Sequence, residues 1–214
     1  MLKGIIFDFD GVIAESVQVK TDAFATLYEQ YGDNIVNKVI EHHEANGGMS
    51  RFEKIKLYHE SYLKKVINNN EVEELATRFS ELVVKKVIDS PYVPGVLDYI
   101  QNSHKQYKLF ISTGTPTNEM KMILTGRRII QYFEDVFGSP EIKDLHIEKI
   151  LSIYKYIPDE LIFYGDATVD IDAADKANIP FVLIKNNCNK NLAIRYSGKK
   201  ISNFNKQGKI NEDY

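Results

Sequence analysis

The chain has 214 residues, which suits one large domain or a domain carrying a smaller insertion. Hydrophobic residues make up 43% and charged residues 27%, an ordinary globular balance that argues against disorder. A net charge of −3 supplies no basic field for nucleic acid or a membrane surface, and a single cysteine, Cys188, excludes an intramolecular disulfide. Neither a nucleic-acid nor a membrane partner is expected. The lone cysteine suits a reducing compartment, so a cytoplasmic location is expected. Asp8 and Asp10 interrupt the first apolar run too early for a signal peptide, and no run approaches the ~20 apolar residues of a membrane helix.

In chain order, Lys3-Gly4-Ile5-Ile6-Phe7 reads as a buried strand that ends abruptly in acids and Gly11. The stretch 16–88 contains no convincing strand. Its patterns predict helices over 17–31, 35–43, 51–66 and 72–88, punctuated by Gly47-Gly48 and Asn68-Asn69-Asn70. Ser50 and Glu53 have the spacing of a capping box, so a helix is expected to start at Ser50. Pro91-Tyr92-Val93-Pro94-Gly95 stiffens the return.

From there strands and helices alternate. Strands are expected at 108–111, 136–137, 161–164 and 181–184, with helices over 96–102, 118–124, 144–156 and 171–178. Continuous apolar strands separated by helices imply a parallel sheet covered on both faces. The fold class is therefore α/β, a Rossmann-like parallel sheet with an α-helical cap inserted after the first strand. The expected division is a core of 1–15 and 89–214 and a cap of 16–88. The polar tail 203–214 is expected to fray.

In such sheets the site lies beyond the carboxyl ends of the strands. Three segments deliver polar groups there: Asp8-Phe9-Asp10-Gly11, Ser112-Thr113-Gly114, and Gly165-Asp166 with Asp170. Carboxylates two apart on extended chain face the same way. One can attack phosphorus while the other protonates the leaving oxygen and then deprotonates water. A calcium loop of the EF-hand type needs oxygen ligands that Val12, Ala14 and Val19 do not offer. Asp166 would complete a magnesium site with Asp8, because that ion takes one or two carboxylates plus water and phosphate oxygens. Asp170, one helical turn on, either reaches the same ion or orients its surroundings. Ser112 and Thr113 at a loop-to-helix start read as a phosphate cradle. Lys143, just before Asp144 as the cap of the next helix, would neutralise the phosphate. The five histidines, with His42 and His43 adjacent, read as structural or surface residues.

These stretches, in this order, resemble the haloacid dehalogenase-like hydrolases. Val93-Pro94-Gly95-Val96 and the run from Tyr132 to Ser139 are similar to the family's phosphoglycolate phosphatase and β-phosphoglucomutase-like branch, and the helical insertion to its first cap type. The resemblance implies a sheet order of 5-4-1-2-3. It implies Asp8 as nucleophile and Asp10 as acid/base, with the Asp10 backbone carbonyl on magnesium. Ser112 and Lys143 would hold the phosphoryl group and Asp166 the metal. Asp10 favours phosphate chemistry over dehalogenation.

The expected activity is hydrolysis of a small phosphorylated metabolite through an aspartyl-phosphate. A sugar phosphomutase using the same Asp pair is the alternative; a phospho-acceptor switch or an inactive binding protein fits less well. In the cap, Gly47, Gly48 and Arg51 are expected to face the site and read the leaving group.

Overall fold

The first apolar run forms β1 (Gly4–Phe7), every residue of it buried. The structure, a computed structural model, describes residues 1–205. β1 pairs in parallel with β2 (Lys108–Pro116) on one side and β4 (Leu161–Gly165) on the other. β3 (Asp135–Ser139) extends the sheet beyond β2, and β5 (Phe181–Ile184) beyond β4. The expected five-strand order is found. A short parallel strand, β6 (Lys199–Ile201), is added beside β5, giving the order 3-2-1-4-5-6. β6 carries two lysines and no apolar run, as a blunted sheet edge does, which hid it from a hydrophobicity reading.

Alternation along the strands sends Phe7, Ile111 and Tyr164 to one face, and Ile6, Phe110 and Phe163 to the other. On the second face Ile147 and Ile150 of α7 (Lys143–Tyr154) and Ala173 and Ala174 of α8 (Thr168–Ala177) complete the core. The first face is covered by α5 (Val96–Ser103), α6 (Thr117–Gly126) and the residues that follow β1. Phe204 is buried there, and its amide donates to the Pro94 carbonyl (2.8 Å). The start of the polar tail is thus anchored rather than frayed, while 206–214 lie outside the described residues.

Between β1 and α5 the chain is helical: α1 (Val17–Tyr28), α2 (Asp33–Ala45), α3 (Arg51–Leu57) and α4 (Asn69–Asp89). Helix α1 packs on α2 and α4, and α3 packs on α4. Phe24, Tyr28 and Tyr58 meet edge to face at their centre, with ring centroids 5.5 and 5.7 Å apart. The helix expected over 51–66 gives way after Leu57 to one π-helical turn (Tyr58–Tyr62), and Lys64 takes a positive φ of 54° that stops it. Ser50 accepts from the Phe52 amide (3.3 Å), whereas the reciprocal capping pair forms at Asn68 and Glu71, where α4 begins. The two connectors to this helical unit are laced together. Glu15 N donates to Pro91 O (2.9 Å) and Val93 N to Ile13 O (3.0 Å).

Candidate functional site

Four strand ends converge on one rim. Asp8 directly follows β1 and is held by its own amide, which donates to Tyr164 O on β4 (2.9 Å). Its Oδ1 accepts from the Phe9 amide (2.7 Å). The chain then turns through Gly11 at φ +76°, where a Cβ would lie 2.1 Å from Asp166 Oδ2. Only glycine fits this turn, both for its φ and because the β4 end closes against it.

Lys143 Nζ lies 3.0 Å from Asp8 Oδ2 and is also ion-paired with Asp170 Oδ1. Asp170, fully buried, uses its other oxygen to accept from the Asp166 and Ala167 amides (3.1 and 2.9 Å). It therefore fixes both Lys143 and the 165–167 turn. Lys143 is itself the first residue of α7, with Ile142 in the cap position. Asp144 lies in the first turn and pairs with Lys176, so the cap expected of Asp144 is not formed.

Burial dominates the electrostatics. It pushes the Asp8 carboxyl from an ordinary 3.8 to about 7, with Asp170 and Asp10 adding to the rise and Lys143 opposing it. Burial, then Asp8 and Asp170, also raise Asp166 well above the ordinary range. Burial alone would lower Lys143, but Asp170 and Asp8 carry it upward, so it stays charged. Ligand oxygens of Asp8, Asp166 and Asp170 all lie within 4.8 Å of one another. Three carboxylates against one lysine leave a formal excess of negative charge, which fits a hard divalent cation. Asp170 is the most fully engaged of the three, with one oxygen on Lys143 and the other accepting from two amides, whereas each Asp8 oxygen has a single partner, so Asp8 and Asp166 are the carboxylates better placed to take a cation. Asn186 Nδ2 donates to Asp166 Oδ2 (2.6 Å) and orients that group.

Asp10 stands at the cavity mouth. Its Oδ1 accepts from Ser16 Oγ (2.6 Å), and its Oδ2 is paired with Lys20, which also donates to Thr115 Oγ1 (2.7 Å). The expectation for Ser112 is corrected. β2 runs on to Pro116, so Ser112 and Thr113 lie within a strand and not at a helix start. Alternation turns them to opposite faces. Ser112 Oγ meets His146 Nδ1 (2.9 Å) in the buried layer under α7, whereas Thr113 lines the cavity. Thr113 Oγ1 accepts from the Thr115 amide (3.2 Å), so its own hydroxyl proton is free to point at a ligand.

A cavity of about 450 Å³ lies between this rim and the helical insertion. Gly47 and Gly48 form part of its wall, and they come close to the core. A Cβ on Gly48 would lie 2.5 Å from Val169 Cγ2 and 3.5 Å from Lys143 Nζ; one on Gly114 would lie 2.4 Å from the Gly48 carbonyl oxygen. Arg51 also reaches the wall, but not with a free charge. Its guanidinium forms a two-pronged ion pair with Glu119 of α6 (2.9 and 2.5 Å), donates to Ser80 (2.6 Å), and lies 4.6 Å from the Phe79 ring centroid. Arg51 thus borders the cavity with its positive charge already matched by Glu119.

Several wall residues carried no sequence motif. Lys20, Lys54 and His43 come from helices of the insertion. Asn189, which lines the wall, and Asn186, which contacts Asp166, follow β5; Asn189 Nδ2 donates to Asp166 O and Ile184 O, both at 2.8 Å. The one usable signal for the asparagines was their position just after a parallel strand end.

The family of haloacid dehalogenase-like hydrolases matches residues 5–184. A phosphorylated carbohydrates phosphatase from Thermotoga maritima is 25% identical over 193 residues, covering 83% of this chain and 82% of the relative. A phosphoglycolate phosphatase from Aquifex aeolicus is 25% identical over 187 residues, covering 82% and 81%. Among solved structures, a β-phosphoglucomutase from Clostridium difficile superposes with a TM-score of 0.78 at 21% identity, covering 98% of this chain and 94% of the other. With its family match spanning both the sheet and the helical insertion, the chain belongs to the haloacid dehalogenase-like hydrolases.

Proposed function

We propose that the protein is a magnesium-dependent phosphatase that hydrolyses a small phosphomonoester, with residues 16–88 acting as a cap over a core of 1–15 and 89–214. The observation that carries this reading is the placement of Lys143 against Asp8, with Asp10 two residues on and Asp166 across the Gly11 turn. The names of the two curated relatives point to the same reaction class and to phosphorylated carbohydrates or phosphoglycolate as the kind of substrate.

An Asp8 oxygen attacks phosphorus, and the bond from phosphorus to the ester oxygen breaks. Asp10 delivers its proton to that oxygen, and the alcohol departs. The Asp10 carboxylate then takes a proton from water as the water oxygen attacks the aspartyl-phosphate. Inorganic phosphate leaves and Asp8 is restored. Lys143 and the Thr113 hydroxyl hold the phosphoryl oxygens, with Asp170 keeping Lys143 in place. Asp8, Asp166 and the Asp10 backbone carbonyl would hold magnesium, which when bound offsets the charge of the carboxylates and the phosphoryl group. The cavity above excludes bulk water once a substrate fills it.

The test is phosphate release from a panel of sugar phosphates and short phospho-acids with magnesium, for wild type and Asp8→Asn. The reading expects release by wild type and none by the folded variant. Phosphate release by pure Asp8→Asn protein would overturn the mechanism. Accumulation of an isomerised sugar phosphate with little free phosphate would make the enzyme a mutase instead.

A further inference from the structure

Lys54, on α3, has no role in the chemistry described above, yet it lines the same cavity. It is 1% exposed, and among the described residues its ammonium has no carboxylate partner. Its contacts are with His43, at 2.8 Å to Nδ1 and 3.5 Å to the backbone oxygen. The ammonium can only donate, so His43 accepts through Nδ1 and carries its proton on Nε2. His43 supplies no charge in return. Burial and the neighbouring Lys54 hold it neutral, with its pKa near a value of about 2. The Phe24 ring, 5.7 Å from Nζ, completes an apolar seat.

A buried ammonium without a counter-ion is costly to keep: burial first and Lys20 second lower the Lys54 pKa from 10.5 to about 7, so part of its charge is lost near neutrality unless an anion beside it restores the charge. The nearby charges do not resolve this. Lys20 adds a second cation, and Asp10, the one acid that favours a charged Lys54, is already bound by Lys20 and Ser16. Glu41 and Glu44 also border the cavity, but both are exposed at its outer edge. An anion that would restore the full charge of Lys54 has room only on the open side, in the cavity that Lys54 lines.

We infer that Lys54, oriented by His43, binds a second acidic group of the substrate, a carboxylate or a phosphate, while the first phosphoryl group sits on Asp8. This rests on the phosphatase reading and narrows it to substrates with two anionic ends. The cavity, about 450 Å³ and walled by Asp8 and Asp166 on the core side and by Lys54 and His43 on the helical side, is suited to such a short molecule. Methionine at position 54 keeps the length and apolar stem of the side chain and removes the charge.

The test uses three probes that differ only at the second carbon: ethylene glycol monophosphate, phosphoglycolate and ethylene glycol bisphosphate. Wild type should favour at least one of the two-anion probes over the monophosphate by about tenfold or more in kcat/KM, mainly through KM. The favoured probe tells carboxylate from phosphate. Lys54→Met should collapse the ratio, and Lys54→Arg should keep most of it. A wild-type enzyme that releases phosphate from all three equally, or a ratio that survives in Lys54→Met, overturns the inference. If no probe yields phosphate, the phosphatase reading itself fails for this substrate size. Calorimetric binding of the same probes to wild type and Lys54→Met then decides the subsite, since equal binding of all three would overturn it. If Lys54→Met does not fold, the wild-type ratio alone carries the decision.

Discussion

Lys143 Nζ stands 3.0 Å from Asp8 Oδ2 and is clamped from behind by Asp170, so one ammonium serves both the attacking carboxylate and the turn that follows β4. Neither Lys149 nor Lys155 is placed for this. Lys149 pairs with exposed Glu141, and Lys155 ends α7 in a left-handed conformation. Lys143→Ala should lower kcat/KM by about 10²-fold or more, the scale on which a charge aimed at a developing anion contributes. Lys149→Ala should change it little. The two are compared by steady-state phosphate release, and a larger loss in Lys149→Ala would shift the phosphoryl-binding role away from Lys143.

The carboxylate cluster links proton and metal binding. Folded-state pKa values of Asp8 and Asp166 are raised above the ordinary 3.8, Asp8 to about 7, by burial first and by neighbouring carboxylates second. Between those values the metal-free fold binds more protons than the unfolded chain. The stabilisation from that proton uptake is present at low pH and is lost as pH rises through about 7. Magnesium must displace the same protons. The rise in Tm on adding magnesium should therefore be larger at about pH 8 than at about pH 6, and Asp166→Asn should reduce it at the higher pH. Thermal unfolding in chelator and in magnesium measures this. An equal rise at both pH values would place the ion somewhere else.

The pair of Arg51 and Glu119 joins the helical insertion to α6 across the cavity wall, with 4% and 10% of the two side chains exposed. Removing one partner strands a buried charge, which ordinarily costs about 3–5 kcal/mol. Arg51→Met and Glu119→Leu should each lower stability on that scale, and the variant carrying both substitutions should recover much of it. Urea unfolding of the three variants provides the double-mutant comparison. Additive losses would mean that the two residues act independently.

The sheet was legible because each strand is an apolar run closed by a turn signal, and because Asp8, Asp10 and Asp166 fall at strand ends, where a parallel sheet gathers its chemistry. Lys143 was legible as a position in the chain, but its grip on Asp170 was not. The wall supplied by the insertion was the illegible part. Lys20, His43 and Lys54 sit on amphipathic helices, where a lysine or histidine facing a cavity looks the same in sequence as one facing solvent. Arg51 shows the reverse difficulty. Its position at a helix start was apparent, but its partner Glu119 lies 68 positions away, so the neutralised charge could not be read. Asn186 and Asn189 looked like an ordinary polar loop, because their role depends on backbone turns that orient them toward Asp166.

Ser112 and Thr113 offer a sharp test, because adjacent hydroxyls on one strand face opposite sides of the sheet. Thr113 borders the cavity and keeps its hydroxyl proton available, since its oxygen already accepts from the Thr115 amide. Thr113→Val keeps the shape and removes the donor, so it should lower kcat/KM for every phosphate ester by roughly tenfold, the value of one lost hydrogen bond to a charged oxygen. It should also weaken competitive inhibition by inorganic phosphate. Ser112 has no path to the cavity. Its hydroxyl is fully buried against His146, whose pKa burial and Lys143 together lower to about 4, so a neutral imidazole and a hydroxyl share one hydrogen bond. Ser112→Ala should therefore reduce stability by about 1 kcal/mol, the usual net worth of such a bond, while leaving phosphate inhibition in place. Measuring the inhibition constant and the urea midpoint of both variants separates the assignments. A Ser112→Ala enzyme that loses phosphate inhibition at unchanged stability would return the phosphoryl contact to Ser112 and require β2 to rotate its side chains in the liganded state.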